Sequence, residues 1–275
     1  MEAEYPALLA AVDLAGQHAL GSFMACLILL LLAVGMVVWL LHRYPVQAAA
    51  GHHSMRYLIA RLIMGFVVIV GCAALFAGLA DEIEMDEDLA PLDDRFTQTI
   101  ASKTPAAAVG IFRYITHLGD PWMLTTIGIV VAVVLLLRRQ PWLAGGWALA
   151  LIGNALLNPT LKSVFERTRP LDMQGMPFTD GWSFPSGHAS GAAVTYGMLA
   201  YVLIRNVPHK WHLPIILLAA ALAFSIGWSR IFLQYHFGSD VLAGFASGSA
   251  WLAICITTLE ALRWQHAWQP KASRA

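Results

Sequence analysis

Long uninterrupted apolar runs are the feature that most restricts what this chain can fold into. Leu20 to Leu41 and Tyr57 to Ala80 each match or exceed the roughly 20 residues that a helix needs to cross a bilayer core. Five more runs follow, at Trp122 to Leu137, Trp142 to Leu161, His188 to Ile204, Leu213 to Trp228 and Val241 to Leu262. In lipid a backbone has no water to bond with, so a spanning segment satisfies itself as a helix or within a closed barrel. Continuous apolar runs, without the alternation a barrel strand shows, select the helix. The expected fold is therefore all-α, a polytopic transmembrane bundle of about seven spans. Composition agrees: 58% of the residues are hydrophobic and 12% charged, against about 25% charged in a soluble domain.

Composition also excludes several classes. Lys+Arg and Asp+Glu number 17 each, which leaves no basic field for nucleic acid, so no nucleic-acid partner is expected. Cys26, Cys72 and Cys255 lie inside apolar runs, too far apart for a zinc motif or a disulfide framework, and read as small core residues. The first run does not read as a signal peptide, because Glu2 and Glu4 stand where a basic region belongs. It is expected to stay as an extra N-terminal span. The chain then divides into an N-terminal segment 1–56, a core 57–262 with a long loop 81–121, and a tail 263–275.

Orientation follows from the cations, which collect in short cytoplasmic loops. Arg43, Arg56, Arg138, Arg139, Arg205, Lys210, Arg263, Lys271 and Arg274 fall on one face if the seven runs all cross. That face is expected to be cytoplasmic. The other face receives the acidic stretch Asp81 to Asp94, read as a solvated surface, and the segment Ala106 to Leu118, read as a helix lying in the interface or packed on the bundle. It also receives Lys162, Arg167, Arg169 and Arg230, which break the rule and need a local reason.

Topology supplies one. The fifth and sixth runs form a hairpin, so the loop before the fifth and the loop after the sixth emerge on the same side. That brings Lys162, Arg169, Ser186, Gly187, His188, Arg230, His236 and Asp240 to one surface. His236, Asp240, Gly244 and Gly248 recur every four residues, a single stripe if the last helix starts near His236, and the glycines suit close helix packing. Asn154, Asn158 and Lys162 repeat that spacing on the fourth run, where Pro159 is expected to bend it. Three cations, two imidazoles and one carboxylate without a metal-type cluster suit phosphoryl transfer. The cations neutralise a tetrahedral dianion, a helix N-terminus offers free N–H groups, one histidine attacks phosphorus and the other protonates the departing oxygen. Arg167 reads as facing headgroups or water, with Glu166 as its partner; His52 and His53 read as residues of a short cytoplasmic loop, and His18, His42, His117, His209, His212 and His266 as interfacial residues near span ends.

These residues form three motifs: Lys162, six residues, Arg169-Pro170; then Pro185-Ser186-Gly187-His188; then Ser229-Arg230, five residues, His236, three residues, Asp240. The pattern resembles the type 2 phosphatidic acid phosphatase superfamily, with all eleven specified positions present in order. The resemblance implies a six-helix phosphatase core in which His236 is the nucleophile, Asp240 orients it and His188 is the general acid. It implies phosphate binding by Lys162, Arg169, Ser186, Gly187 and Arg230, with no metal and no cofactor. The implied substrate is a membrane lipid phosphate or pyrophosphate of the phosphatidic acid, phosphatidylglycerophosphate, undecaprenyl pyrophosphate or lipid A class. Met173, Met176, Phe178 and Trp182 are candidates to touch its chain. The implied setting is a bacterial inner membrane with the site facing the periplasm. A lipid phosphotransferase of the same fold and, in another class, a transporter lined by Asn154, Asn158 and Asp240 are the alternatives. The transporter predicts ionisable groups at mid-membrane; the motifs place them at span ends.

Overall fold

The computed structural model describes residues 6–43, 55–85, 89–170 and 181–268. His52, His53, Met173, Met176, Phe178, Lys271 and Arg274 lie outside them. The described residues form ten α-helices and no strands, and all seven apolar runs are helical. They are α1 (Pro6–Gln17), α2 (Ala19–Arg43), α3 (Met55–Met85), α4 (Leu89–Lys103), α5 (Ala106–Thr116), α6 (Pro121–Leu137), α7 (Pro141–Phe165), α8 (Gly187–Ile204), α9 (His212–Phe232) and α10 (Gly238–Trp268).

Length and apolarity alone qualify four of these to cross a membrane: α2, α3, α9 with the short turn before it, and α10. The pair α5 and α6 passes the same test only when taken together, and it bends by 46° at Gly119 to Pro121. α8 is less apolar for a physical reason, since its neighbours are largely protein, and α7 carries its polar residues on the one face it turns inward. α8 buries eleven of its 18 residues, including Ser190 and Thr195, and α7 buries Asn154 and Asn158. By contrast α2 and α3 expose Leu29, Leu32, Phe66 and Val67, a surface that only lipid tolerates on this scale.

Between helices in lipid there is little hydrophobic drive, so close packing and small residues hold the bundle. α10 supplies the large side chains. Trp251 fills a notch at Gly153 of α7, where an added Cβ would stand 2.1 Å from the ring, and donates its indole N–H to the Ala150 carbonyl at 2.9 Å. Leu135, Trp147, Met198, Val202 and Cys255 complete this core. Cys255 is thus the core residue expected, whereas Cys26 is exposed on the outer face of α2 and Cys72 only partly covered on α3. A second core gathers Phe23 of α2 with Phe112, Phe224, Trp228 and Phe232, so the extra N-terminal helix is fastened to α5 and α9 by aromatic rings. α5 is therefore packed on the bundle, and only its outer side, Ile111 and Tyr114, is exposed.

Helix ends set the loops that matter. Pro121 and Pro141 open α6 and α7 at the first turn, where the missing N–H has no partner to lose. α7 runs through Pro159 as one helix and ends at Glu166, whose left-handed backbone (φ 44°) turns the chain into the loop carrying Arg167 and Arg169. Ser186 caps α8, its hydroxyl accepting from the Ala189 N–H at 3.4 Å. After α9, Gln234 is also left-handed (φ 59°), and the N–H groups of Tyr235 and His236 both return to the Arg230 carbonyl. This turn folds His236 back over Arg230. α10 starts at Gly238, so His236 precedes the helix on which the stripe was drawn.

Candidate active site

The stripe still closes. His236 Nδ1 stands 3.3 Å from Asp240 Oδ2, and the same oxygen accepts the Phe237 N–H at 3.0 Å. The carboxylate accordingly caps α10 while it fixes the imidazole. His236 is 2% exposed and Asp240 fully buried. Burial drives the His236 pKa down to about 3 despite the opposing pull of Asp240, so the imidazole is neutral near pH 7. With Nδ1 bound to the carboxylate, Nε2 carries the free electron pair and points toward cations: Arg169 Nη1 lies 3.3 Å away.

Those cations come from three elements. Arg169 also donates to the carbonyls of Tyr235 and Gly181, at 2.8 and 3.0 Å, which ties the α7–α8 loop to the His236 turn. Lys162, on the last turn of α7, donates to the carbonyls of Trp182 and Ser183 at 2.5 and 3.2 Å. Arg230, on the last turn of α9, donates Nη1 to Thr116 Oγ1 at 2.9 Å, lies over the Tyr235 ring, and leaves Nε buried with no partner among the described residues. A buried guanidinium N–H without an acceptor is costly, and an anion oxygen would satisfy it.

The Pro185-Ser186-Gly187-His188 segment sits against this group. The Ser186 N–H donates to the Asp240 carbonyl at 2.9 Å, and Asn158 of α7 donates to the Pro185 carbonyl at 3.3 Å. The glycines at 244 and 248 explain how the segment comes so near. A Cβ on Gly244 would lie 2.5 Å from the Ser186 carbonyl oxygen, and one on Gly248 would lie 2.7 Å from that of Ser190. The start of α8 therefore rests backbone to backbone on α10.

All eight motif residues thus converge, and the structure adds others. Arg167 is not a headgroup contact, and Glu166 is not its partner. It is a buried cation that bonds Asp240 Oδ1 at 2.7 Å, Ser239 Oγ at 2.7 Å and Asp93 Oδ2 at 3.0 Å, with its guanidinium 4.4 Å above the Phe237 ring. Burial opposes its charge, but Asp240 and Asp93 outweigh that and hold its pKa above the ordinary arginine value. Asp93 likewise departs from the solvated surface expected of its stretch. It is 6% exposed and receives the Ser239 backbone N–H at 3.2 Å and the Ser239 hydroxyl, and burial lifts its pKa even so. Nor is His117 merely interfacial. It meets Asp120 Oδ2 at 2.8 Å, while Asp120 Oδ1 meets His188 Nε2 at 3.0 Å.

Of these additions, Asp120 had a legible signal, an acidic residue immediately before a helix-opening proline. Asp93 had none, because its partner lies 74 residues away.

An α-helical membrane bundle with this histidine, carboxylate and cation arrangement defines a class, the transmembrane PAP2 proteins. Residues 143–264 match the model of the PAP2 superfamily, and the chain belongs to that superfamily. Phosphatidylglycerophosphatase B of Bacillus subtilis (strain 168) is 36% identical over 137 residues, which cover 49% of this chain and 66% of the relative. The crystal structure of a transmembrane PAP2-type phosphatidylglycerolphosphate phosphatase from Bacillus subtilis is similar at a TM-score of 0.66 with 27% identity, over 71% of this chain and 98% of that one. Asp93 and Asp120 both fall outside the residues that the family model matches.

Proposed function

We propose that this chain is an integral membrane phosphatase that hydrolyses a lipid phosphate or pyrophosphate through a phosphohistidine on His236. Phosphatidylglycerophosphate is its first candidate substrate, by similarity to the named relatives. The observation that carries the reading is the two-sided hold on His236, with Nδ1 on Asp240 and Nε2 turned to Arg169. A neutral imidazole so held presents one electron pair to a phosphorus that Lys162, Arg169, Arg230 and the α8 N-terminus bind by its oxygens. Charge that develops on those oxygens in the transition state is met by groups already in place.

The acid–base partner is His188, and the site opens at the extracytoplasmic face of a bacterial inner membrane. Arg61, Arg205 and Arg263 gather at the far end of the bundle, as the cation rule asks of a cytoplasmic end.

The test is phosphate release by purified, detergent-solubilised protein from phosphatidylglycerophosphate, phosphatidic acid and undecaprenyl pyrophosphate. Wild type should release phosphate, and His236→Ala should be slower by more than about 10³-fold, as for loss of a nucleophile. Turnover by His236→Ala at the wild-type rate would remove the proposed intermediate.

A further inference from the structure

His236 has a carboxylate that fixes its ring, and the second histidine has one too. We propose that Asp120 is the positioning residue of His188, holding Nε2 so that Nδ1 carries the proton delivered to the leaving oxygen. This inference rests on the phosphatase reading above and assigns a part that reading leaves open.

The geometry is specific. Asp120 ends the short 3₁₀ turn His117–Gly119 and sits at the 46° bend between α5 and α6. It does not cap α6 with its side chain. Both oxygens are used elsewhere: Oδ2 takes His117 Nδ1 at 2.8 Å and Trp122 Nε1 at 3.1 Å, which leaves Oδ1 aimed at His188 Nε2 at 3.0 Å. Gly119 makes the approach possible, since a Cβ there would stand 2.4 Å from Ile226 and 3.0 Å from the His188 ring. Tyr196 fixes the bend from the α8 side by donating to the Leu118 carbonyl at 2.9 Å.

Charge gives the arrangement its purpose. Arg230 and Arg169 bring two positive charges to an imidazole that must itself be positive before it can give up a proton. Asp120 is the carboxylate in contact with it. In the first step the His236 Nε2 pair forms the N–P bond while the P–O bond to the leaving group breaks with its electrons on oxygen. That oxygen takes the proton from His188 Nδ1, and His188 is left neutral with Nε2–H on Asp120. In the second step water forms the new O–P bond, its proton goes to His188 Nδ1, and the N–P electrons return to His236.

A residue that acts through proton delivery matters in proportion to how much the leaving oxygen needs a proton. The experiment is rapid-quench measurement of the phosphorylation step in Asp120→Asn and Asp120→Glu, with phosphatidic acid and with p-nitrophenyl phosphate. Nitrophenolate departs without a proton. Asp120→Asn should slow phosphorylation by phosphatidic acid about 10²-fold, within the usual worth of general acid catalysis, and by p-nitrophenyl phosphate less than about tenfold. Asp120→Glu should recover most of the loss. Equal losses on both substrates, or no loss on phosphatidic acid, would overturn the assignment. Should Asp120→Asn fail to fold, the same substrate contrast in Asp120→Ala, which also lacks the carboxylate, decides. A wild-type enzyme that forms no phosphoenzyme at all would instead sink the phosphohistidine reading and this inference with it.

Discussion

α10 carries a carboxylate near each end, Asp240 fully buried and Glu260 partly so, and the two are put to opposite uses. Asp240 and Glu260 are 20 residues apart, about 30 Å along a helix, which is close to the thickness of a bilayer core. Glu260 accepts from Arg61 of α3 at 2.5 Å, Tyr201 of α8 at 2.6 Å, Arg205 at 2.7 Å and Arg263 at 3.2 Å. It clamps three helices, and every donor around it is a strong hydrogen-bonding group aimed at the carboxylate. Asp240 also has a full set of partners, but one of them is an imidazole whose second nitrogen is aimed away from the carboxylate. Nearby, Arg230 Nε has no acceptor among the described residues. The lesson is that a cluster of charges at a membrane boundary is structural when its hydrogen bonds close on themselves. It is a candidate for chemistry when they stop one short.

That contrast can be broken by mutation. Arg167→Ala at the Asp240 end should lower kcat by about 10²-fold, the cost of letting a reacting group drift by about an ångström, with little change in KM. Arg167→Lys should restore only part of it, because one ammonium cannot span Asp240, Ser239 and Asp93 as the guanidinium does. Steady-state kinetics on a water-soluble phosphate monoester would show a wild-type kcat if the network were idle. At the other end, Glu260→Gln should leave kcat unchanged and cost about 1–2 kcal/mol of stability, since its arginines keep partial access to water. A lowered thermal midpoint with intact turnover at permissive temperature is the expected result, and a loss of turnover there would merge the two ends into one functional unit.

A further effect concerns pH. The folded-state pKa of His236 is pushed down to about 3, whereas an unfolded histidine titrates near 6.5. Between those values the unfolded chain binds the proton that the folded chain refuses, so this residue withdraws stability as pH falls from about 6.5 toward 3. Wild type should therefore lose thermal midpoint relative to His236→Gln over that range, as differential scanning fluorimetry in detergent would show. A constant difference would mean that the imidazole is not held neutral.

The parts legible in the sequence were those whose signal is local. Apolar runs gave the helices, and the three motifs are contiguous or helically spaced, so the eight residues that meet at the site could be named from spacing and hairpin topology. What escaped was set by packing across long separations. Arg167 looks like one more loop cation until the left-handed turn at Glu166 delivers it to Asp93 and Asp240. Glu260 reads as an ordinary charge near a span end, because nothing in its own neighbourhood announces Arg61, 199 residues away. The polar character of α8 also carries a warning for hydropathy: a helix wrapped by other helices has no need to be greasy.

The seam between α8 and α10 has a mechanical consequence. Main-chain atoms at Ser186 and Ser190 lie directly against the glycine face of α10, and the Ser186 N–H is bolted to Asp240. No rotamer can yield there, so the Pro185 to His188 segment and the His236–Asp240 pair are held as one solid piece. A methyl added at Gly244 would stand in that seam, 2.5 Å from the Ser186 carbonyl oxygen, and would wedge the start of α8 away from α10.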